Sequence, residues 1–136
     1  MKVSIIIPIR NEEIILKYII RELENKLENL PFEVIFINDF STDNTFSILE
    51  KLLQNKNQFR LYNNERKGLG GAVTEGINKA NGEFVCIMMS DLSDDIEDFK
   101  KYYNIIKEEQ IDAVFGSRFI KGSRIIDYPK KKINFK

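Results

Sequence analysis

The sequence predicts an α/β fold: a mostly parallel sheet with helices on both faces. Three observations predict it. Apolar, β-branched runs of strand length alternate with segments whose apolar residues recur every three to four positions. The runs at 3–9, 32–37 and 83–89 are apolar nearly throughout, which marks strands buried on both faces. The residues best suited to chemistry follow strands, and open parallel sheets bind their ligands at the carboxyl ends of strands.

The elements follow in order. Residues 3–9 form a strand that Pro8 closes. Asn11-Glu12-Glu13 then opens a helix running to about Leu27. Its acids fall in the first turn, where the helix dipole favours them, and Ile14, Ile15, Tyr18, Ile19, Leu23 and Leu27 form its apolar face. Residues 32–37 are a second strand, and Asp43-Asn44 caps a helix bearing Phe46, Ile48, Leu49, Leu52 and Leu53. A short strand covers 59–62, and a Gly-led helix covers 68–80 and ends at Asn81-Gly82. Residues 83–89 are a further buried strand, 94–109 a helix and 112–116 a last strand.

A chain of 136 residues with 43% apolar composition is one domain with a real core. It is too short to hold a nucleotide domain and a second module. The charges balance at 21 basic and 21 acidic, which argues against a nucleic-acid binder, whose affinity rests on surplus Lys and Arg. There is no His, so His-based acid/base and nucleophile machinery is excluded, and a single Cys, Cys86, excludes disulfides and Cys-cluster metals. What remains is carboxylates, Lys and Arg, hydroxyls, backbone amides and a hard metal ion. No signal-peptide cleavage pattern or membrane-spanning run is visible. The basic end, Lys130–Lys136, is either a solvated tail or a contact for anionic lipid.

Five clusters carry the candidate chemistry. Pro8-Ile9-Arg10-Asn11-Glu12-Glu13 ends the first strand; either the acids only complement a helix dipole, or Arg10 and Glu12 form a wall of a nucleotide pocket. In Asn38-Asp39-Phe40-Ser41-Thr42-Asp43, Asp43 and Ser41 read as turn and cap. Asp39, one residue past an apolar strand, reads as an acceptor for the N–H donors of uracil or guanine and for ribose hydroxyls. Arg66-Lys67-Gly68-Leu69-Gly70-Gly71 fails the dinucleotide GxGxxG pattern, so its glycines read as packing positions and Lys67 as either surface or phosphate contact. Met89-Ser90-Asp91-Leu92-Ser93-Asp94-Asp95 places Asp91 at a strand end, where an oxygen ligand suits Mg²⁺ or Mn²⁺ bridging a diphosphate. One of Asp94 and Asp95 caps the next helix. Arg118, with Lys121 and Arg124, is either a solvated loop or a bidentate contact for phosphate.

Taken in order, these clusters resemble the inverting glycosyltransferase family 2, which has the GT-A (Rossmann-like) fold, and within it the dolichyl/polyprenyl-phosphate mannose or glucose synthases. SIIIPIRNEE resembles the family's strand and PxxNE start, FINDFSTDNT its VVDDxSxDxT segment and GLGGAVTEGINKANGEF its GLGxAxxxGxxxAxG segment. MMSDLSDD stands where the family has DADLS, and DAVFGSRFIKGS resembles its GSRYxxGG loop. The resemblance implies that Pro8, Arg10 and Glu12 line the nucleotide pocket and that Ile37 and Asp39 hold base and ribose. It places Met89, Ser90 and Asp91 along the diphosphate. Asp91 would ligate a divalent cation with Ser93 completing the shell, and Arg118 would contact donor or acceptor phosphate. Two positions depart from the pattern: Asn38 replaces the first Asp of the nucleotide segment, and Met89 the first Asp of the metal motif.

The implied activity is transfer of a hexose from GDP-mannose or a UDP-sugar to a dolichyl or polyprenyl phosphate. It implies work at the cytoplasmic face of a membrane with peripheral membrane contact and no nucleic acid. Residues 1–136 read as one nucleotide-sugar-binding GT-A domain without the C-terminal acceptor and membrane part. A phosphate acceptor is already dianionic near neutral pH and needs no general base, which suits a site without His. A saccharide hydroxyl acceptor and an inactive nucleotide-binding module are the alternatives.

Overall fold

The computed structural model describes residues 1–91 and 93–116. The chain divides into two compact units, Met1–Lys101 and Tyr102–Lys136. The first unit holds the sheet: β1 (Val3–Ile9), β2 (Phe32–Asn38), β3 (Phe59–Asn63) and β4 (Phe84–Ile87), in the order β3-β2-β1-β4 with every pair parallel. The helices are α1 (Leu16–Leu27), α2 (Thr45–Leu52), α3 (Leu69–Lys79) and α4 (Ile96–Glu109).

Handedness distributes the helices. Steps β1→β2→β3 move one way across the sheet, so right-handed crossovers put α1 and α2, which touch each other, on one face. The step β3→β4 moves back past β2 and β1, so α3 lies on the other face, packed on β1 and β2. Side-chain alternation then sorts the core. Ile6, Ile35 and Ile37 meet Ala72 of α3, with Tyr62 and Ala80 at the margin. Gly76 of α3 faces Ile6 so closely that a Cβ would collide with it. On the opposite face Val34 and Phe36 are fully buried, and Phe59 stacks on Phe36 with centroids 6.4 Å apart. The stripe Leu16, Ile19, Ile20, Leu23 and Leu27 of α1 is buried on that side of the chain's core.

Four sequence expectations change here. Residues 11–15 are not helical: Asn11 has φ 55°, and α1 starts at Leu16 with no acid in its first turn. Its apolar face is accordingly shifted, with Ile14 96% and Tyr18 55% exposed, while Leu16 and Ile20 are buried. Pro8 does not close β1, which continues through Ile9. Ile6 C=O accepts from Met88 N at the end of the β1–β4 pairing, so Pro8, two residues on, turns its missing N–H toward an unpaired stretch. The strand expected over 83–89 is shorter and, among the described residues, lies at the sheet edge, with Val85 and Ile87 about half exposed. Finally, α3 ends with Ala80 in extended conformation, ahead of Asn81-Gly82. Gly82 is instead a close-approach position: a Cβ there would lie 2.6 Å from Ser4 N.

In the second unit, the described residues carry the end of α4 and a segment without regular structure through Gly116. The strand expected over 112–116 is therefore absent among the described residues.

Candidate functional site at the carboxyl ends of the strands

Because β1 is followed by a strand on one side and β4 arrives on its other side, the chain reverses direction between β1 and β4. Crevices at such switch points are where open α/β sheets take ligands. Four chain segments meet at this end of the sheet: the loops after β1, β2 and β3, and residues 88–91.

The first two loops are stitched together. Asn11 N donates to Ser41 Oγ (3.1 Å), and Asn11 Oδ1 accepts from Thr42 N (2.7 Å). Glu12 N donates to Thr45 Oγ1 (2.8 Å), and Glu13 Oε2 accepts from Asn44 N and Nδ2, both at 3.0 Å. Glu13 thus serves the start of α2 rather than that of α1. Asp43 Oδ1 accepts from Thr45 N (2.9 Å), supplying the cap that Asn44 does not make. Burial raises the Asp43 carboxyl, but hydrogen bonds from Thr45 and from the Glu13 amide outweigh it and hold the group below its usual value. These bonds fix Arg10, which is exposed, and Glu12, half-buried, beside the end of β1.

Asp39 is 7% exposed. Its N donates to Ile9 O (2.9 Å), tying the ends of β1 and β2 together. Its Oδ1 accepts from Asn64 Nδ2 (2.7 Å) and from Gly68 N (2.8 Å). Among the described residues no donor reaches Oδ2. Gly68, at φ 109°, takes a backbone conformation that favours glycine, and this is what aims its N–H at the carboxylate. Asn38, the departure from the family's Asp, has a local reason: its Nδ2 donates to Asn63 Oδ1 (2.8 Å), which a carboxylate cannot do. Ile37 is fully buried among Ile6, Ile35 and Ala72, so its side chain belongs to the core below the site. Pro8 is likewise buried within β1.

Across the crevice, Met89 N donates to Asp94 Oδ2 (3.0 Å), and Ser90, 6% exposed, sets its Oγ 3.5 Å from Glu12 Oε1. That contact brings two predicted site residues together over the β1–β4 gap. Asp91 is exposed, and its Oδ1 accepts from Ser93 N (2.9 Å). Asp95 Oδ1 accepts from Glu97 N (2.9 Å) and so supplies the start of α4. An open groove of about 310 Å³, lined by Tyr18, Glu22, Lys26 and Ser93–Ile96, shares only Ser93 with the predicted residues.

For a divalent cation the donor set is sparse. Met89 offers no hard oxygen, and among the described residues no three His, Cys, Asp or Glu side chains group together as a ligand cluster. Asp91 supplies one carboxylate, with one oxygen engaged by Ser93 N. This set does not fit a cation held by protein ligands alone. It fits one that shares its shell with the oxygens of a diphosphate, since Mg²⁺ is commonly held through one or two carboxylates plus substrate phosphates. Arg118 lies outside the described residues. Sequence reasoning missed Asn64, although an Asn-Asn pair directly after a strand was a signal of the same kind that pointed to Asp39.

A sequence model of the family described as Glycosyl transferase family 2 matches residues 4–135. A dolichol-phosphate mannosyltransferase of Pyrococcus furiosus is 32% identical over 129 residues, 95% of this chain and 36% of the relative. A dolichyl N-acetyl-alpha-D-glucosaminyl phosphate 3-beta-D-2,3-diacetamido-2,3-dideoxy-beta-D-glucuronosyltransferase of Methanococcus voltae is 37% identical over 119 residues, 79% of this chain and 36% of the relative. The crystal structure of S. aureus TarS 1–349 in complex with UDP-GlcNAc is similar, with a TM-score of 0.62 and 34% identity. It covers 81% of this chain and 32% of that one. The chain therefore spans about a third of the length of the proteins it matches.

Proposed function

The chain belongs to glycosyl transferase family 2, and from that premise we propose that it is the donor-binding part of an inverting hexosyltransferase acting on a polyprenyl or dolichyl phosphate. The observation that carries this reading is Asp39: a nearly buried carboxylate at a strand's carboxyl end, one oxygen held by two protein donors and the other without one. The lipid-phosphate acceptor is supported by the relative named a dolichol-phosphate mannosyltransferase. The name of the Methanococcus voltae relative points instead to a sugar already carried on dolichyl phosphate, which favours the saccharide-hydroxyl alternative.

In the proposed mechanism, Asp39 Oδ2 accepts an N–H of the donor base, uracil or guanine, while Oδ1 stays locked. Arg10 and Glu12 wall the nucleotide, and the Ser90 hydroxyl and the backbone of 89–91 lie along the diphosphate. Asp91 would hold, together with the donor's phosphate oxygens, a Mg²⁺ or Mn²⁺ ion, whose chemistry is to offset the charge of the leaving diphosphate. An acceptor phosphate oxygen attacks C1 of the sugar from the face opposite the leaving group. The new O–C1 bond forms as the C1–O bond to the diphosphate breaks, with inversion. No proton is removed from the acceptor, so a site without His suffices. Arg118 is proposed to meet donor or acceptor phosphate. Among the described residues no helix is long and apolar enough to cross a membrane; the proposed lipid acceptor is what points to contact at the cytoplasmic face of a membrane.

The test is calorimetric binding of UDP and GDP, with and without Mn²⁺, to the chain and to Asp39→Asn. The variant keeps an acceptor oxygen for Asn64 and Gly68 but turns an amide donor on the base. Loss of a hydrogen bond to a charged group is worth about 1.5–3 kcal/mol, or roughly 10- to 150-fold in affinity. Unchanged affinity in a folded Asp39→Asn would overturn the reading of Asp39. Incubation of the full-length protein with labelled nucleotide-sugar tests the acceptor: label passing to saccharide hydroxyls and not to polyprenyl phosphate would refute the lipid-phosphate assignment.

A further inference from the structure

We infer that Asn64 is a positioning residue of the donor site, locking the Asp39 carboxylate and the Arg66–Gly68 turn into one unit that presents Arg66 and Lys67 to the diphosphate while Asp39 reads the base. The inference rests on the reading of Asp39 given above.

Asn64 is 5% exposed, and both ends of its side-chain amide are engaged. Its main-chain N donates to Asn38 O (2.9 Å), placing it at the end of β3 beside the end of β2. Its Nδ2 lies 2.7 Å from Asp39 Oδ1, 2.6 Å from Arg66 O and 3.3 Å from Gly68 O. Its Oδ1 accepts from Arg66 N (3.2 Å). Every side-chain partner is therefore either the carboxylate at the end of β2 or a peptide group of the 66–68 turn. The turn reaches the same carboxylate a second time through Gly68 N. Only an amide fits: two donor hydrogens facing three acceptor oxygens, and one acceptor facing an N–H. Arg66 and Lys67, the exposed cations of this turn, take their backbone position from it.

The charged residues of the segments that meet at this end of the sheet are Glu65, Arg66 and Lys67 of the turn, Asp43 of the loop after β2, Arg10, Glu12 and Glu13 of the loop after β1, and Asp91. No side chain among them hydrogen-bonds Asn64 or the Asp39 carboxylate. Asn64→Asp thus sets two carboxyls side by side with no cation between them, and the pair retains a proton to higher pH than either group alone. When protonated, Asp at this position still donates to Asp39 Oδ1; when ionised it repels all three acceptors.

The experiment measures UDP and GDP affinity of the wild type, Asn64→Asp and Asn64→Ser from pH 5 to pH 8. Each value is taken as a ratio to wild type at the same pH, and circular dichroism reports the folded fraction. Asn64→Asp is expected to bind within about threefold of wild type at pH 5 and at least about tenfold more weakly at pH 8. Asn64→Ser, too short to hold both partners, is expected about tenfold weaker at every pH. A folded Asn64→Asp whose ratio does not change with pH, or a folded Asn64→Ser that binds like wild type, would overturn the positioning role and leave the reading of Asp39 intact. If the wild type binds neither nucleotide, that reading and this inference fall together.

Discussion

Glu33 is a buried carboxylate at the amino end of the sheet, far along the strands from the candidate site, and its removal should cost stability without touching nucleotide binding. It is 4% exposed and accepts from Ser4 Oγ (2.6 Å) of β1, Arg60 Nη2 (2.9 Å) of β3, Lys2 Nζ (3.1 Å) and Asn81 N (2.7 Å) ahead of β4. One carboxylate on β2 therefore latches every other strand of the sheet or its approach. Glu33→Gln keeps the shape and an acceptor for Ser4 and Asn81, and turns an amide toward both Lys2 and Arg60. Lys2, whose side chain is 43% exposed, can return to water at little cost. Arg60 cannot do so as easily: its side chain is 26% exposed, and its Nε is buried without a partner. Its remaining bonds are to Lys79 O, to Tyr62 Oη and, with the Asn81 amide oriented to suit, to Asn81 Oδ1 at 3.2 Å. The loss falls below the 3–5 kcal/mol of a wholly buried broken pair and above a single lost charged hydrogen bond, at about 3 kcal/mol.

At about 2.1 cal/mol/K per residue over 136 residues, each kcal/mol moves Tm by about 3.5 °C, so Glu33→Gln should melt about 10 °C below wild type at pH 7. The pH dependence carries a sign. Burial raises the Glu33 carboxyl, but the bonds from Ser4, Asn81 and Lys2 and the charge of Arg60 outweigh it, so the group sits below its ordinary value in the folded state. A lowered folded-state value means stability that is fully present above the unfolded value and is lost as pH falls through the folded one. The gap between wild type and Glu33→Gln should thus hold from pH 7 to about pH 5 and close as acid is added below that. Urea and thermal melts across pH 3–7, with UDP and GDP affinity as the control, measure it. A gap of less than about 3 °C at pH 7, or one unchanged at pH 3, would refute the latch.

Two further outcomes are expected. Cys86 is pushed up to about 11 by burial and by the negative charge of Asp94, against 9.0 for an ordinary thiol, so its thiolate fraction and its alkylation rate near pH 8 should be about a hundredfold lower. Iodoacetamide kinetics followed by mass spectrometry check this, and alkylation as fast as that of free cysteine would contradict it. Met89→Asp restores a second carboxylate two residues before Asp91, and Mn²⁺ should then strengthen UDP or GDP binding by about tenfold more than it does in wild type. Calorimetry with and without Mn²⁺ decides this; an unchanged metal response would mean that position 89 does not face the diphosphate.

The central strands were legible because burial on both faces writes itself into composition: β1 and β2 are continuously apolar and continuously buried. β4 shows the limit of that signal. Its sequence is as apolar as theirs, yet among the described residues it pairs with β1 alone and leaves Val85 and Ile87 about half exposed, since composition does not encode which strands end up as neighbours. The start of α1 was misread for a related reason. Apolar spacing and acids after β1 suit a helix start, but Asn11 and Glu12 are claimed by Ser41, Thr42 and Thr45, about 30 residues away. Asp39 was legible because a carboxylate one residue past a buried strand has no core role. Its partners were not, because Asn64 comes from the end of β3, 25 residues further along, and only the sheet order brings it there.

The two buried carboxylates of β2 and its end separate structure from chemistry by how fully they are satisfied. Burying a carboxylate is unfavourable unless its oxygens are hydrogen-bonded, so each unfilled position needs a reason. Glu33 has donors on both oxygens, Ser4 and Asn81 on Oε1 and Lys2 and Arg60 on Oε2, and nothing is left for a ligand. Asp39, about as buried as a residue, has both described donors to its carboxylate on Oδ1, and Oδ2 is not a buried, unpartnered atom but stays open to water or a ligand. The two groups sit at opposite ends of a parallel sheet, and the unfilled one is at the end where such sheets bind ligands. A site that must receive a base N–H has to keep an acceptor open and still hold the carboxylate still. Two donors on one oxygen and none on the other is the arrangement that does both.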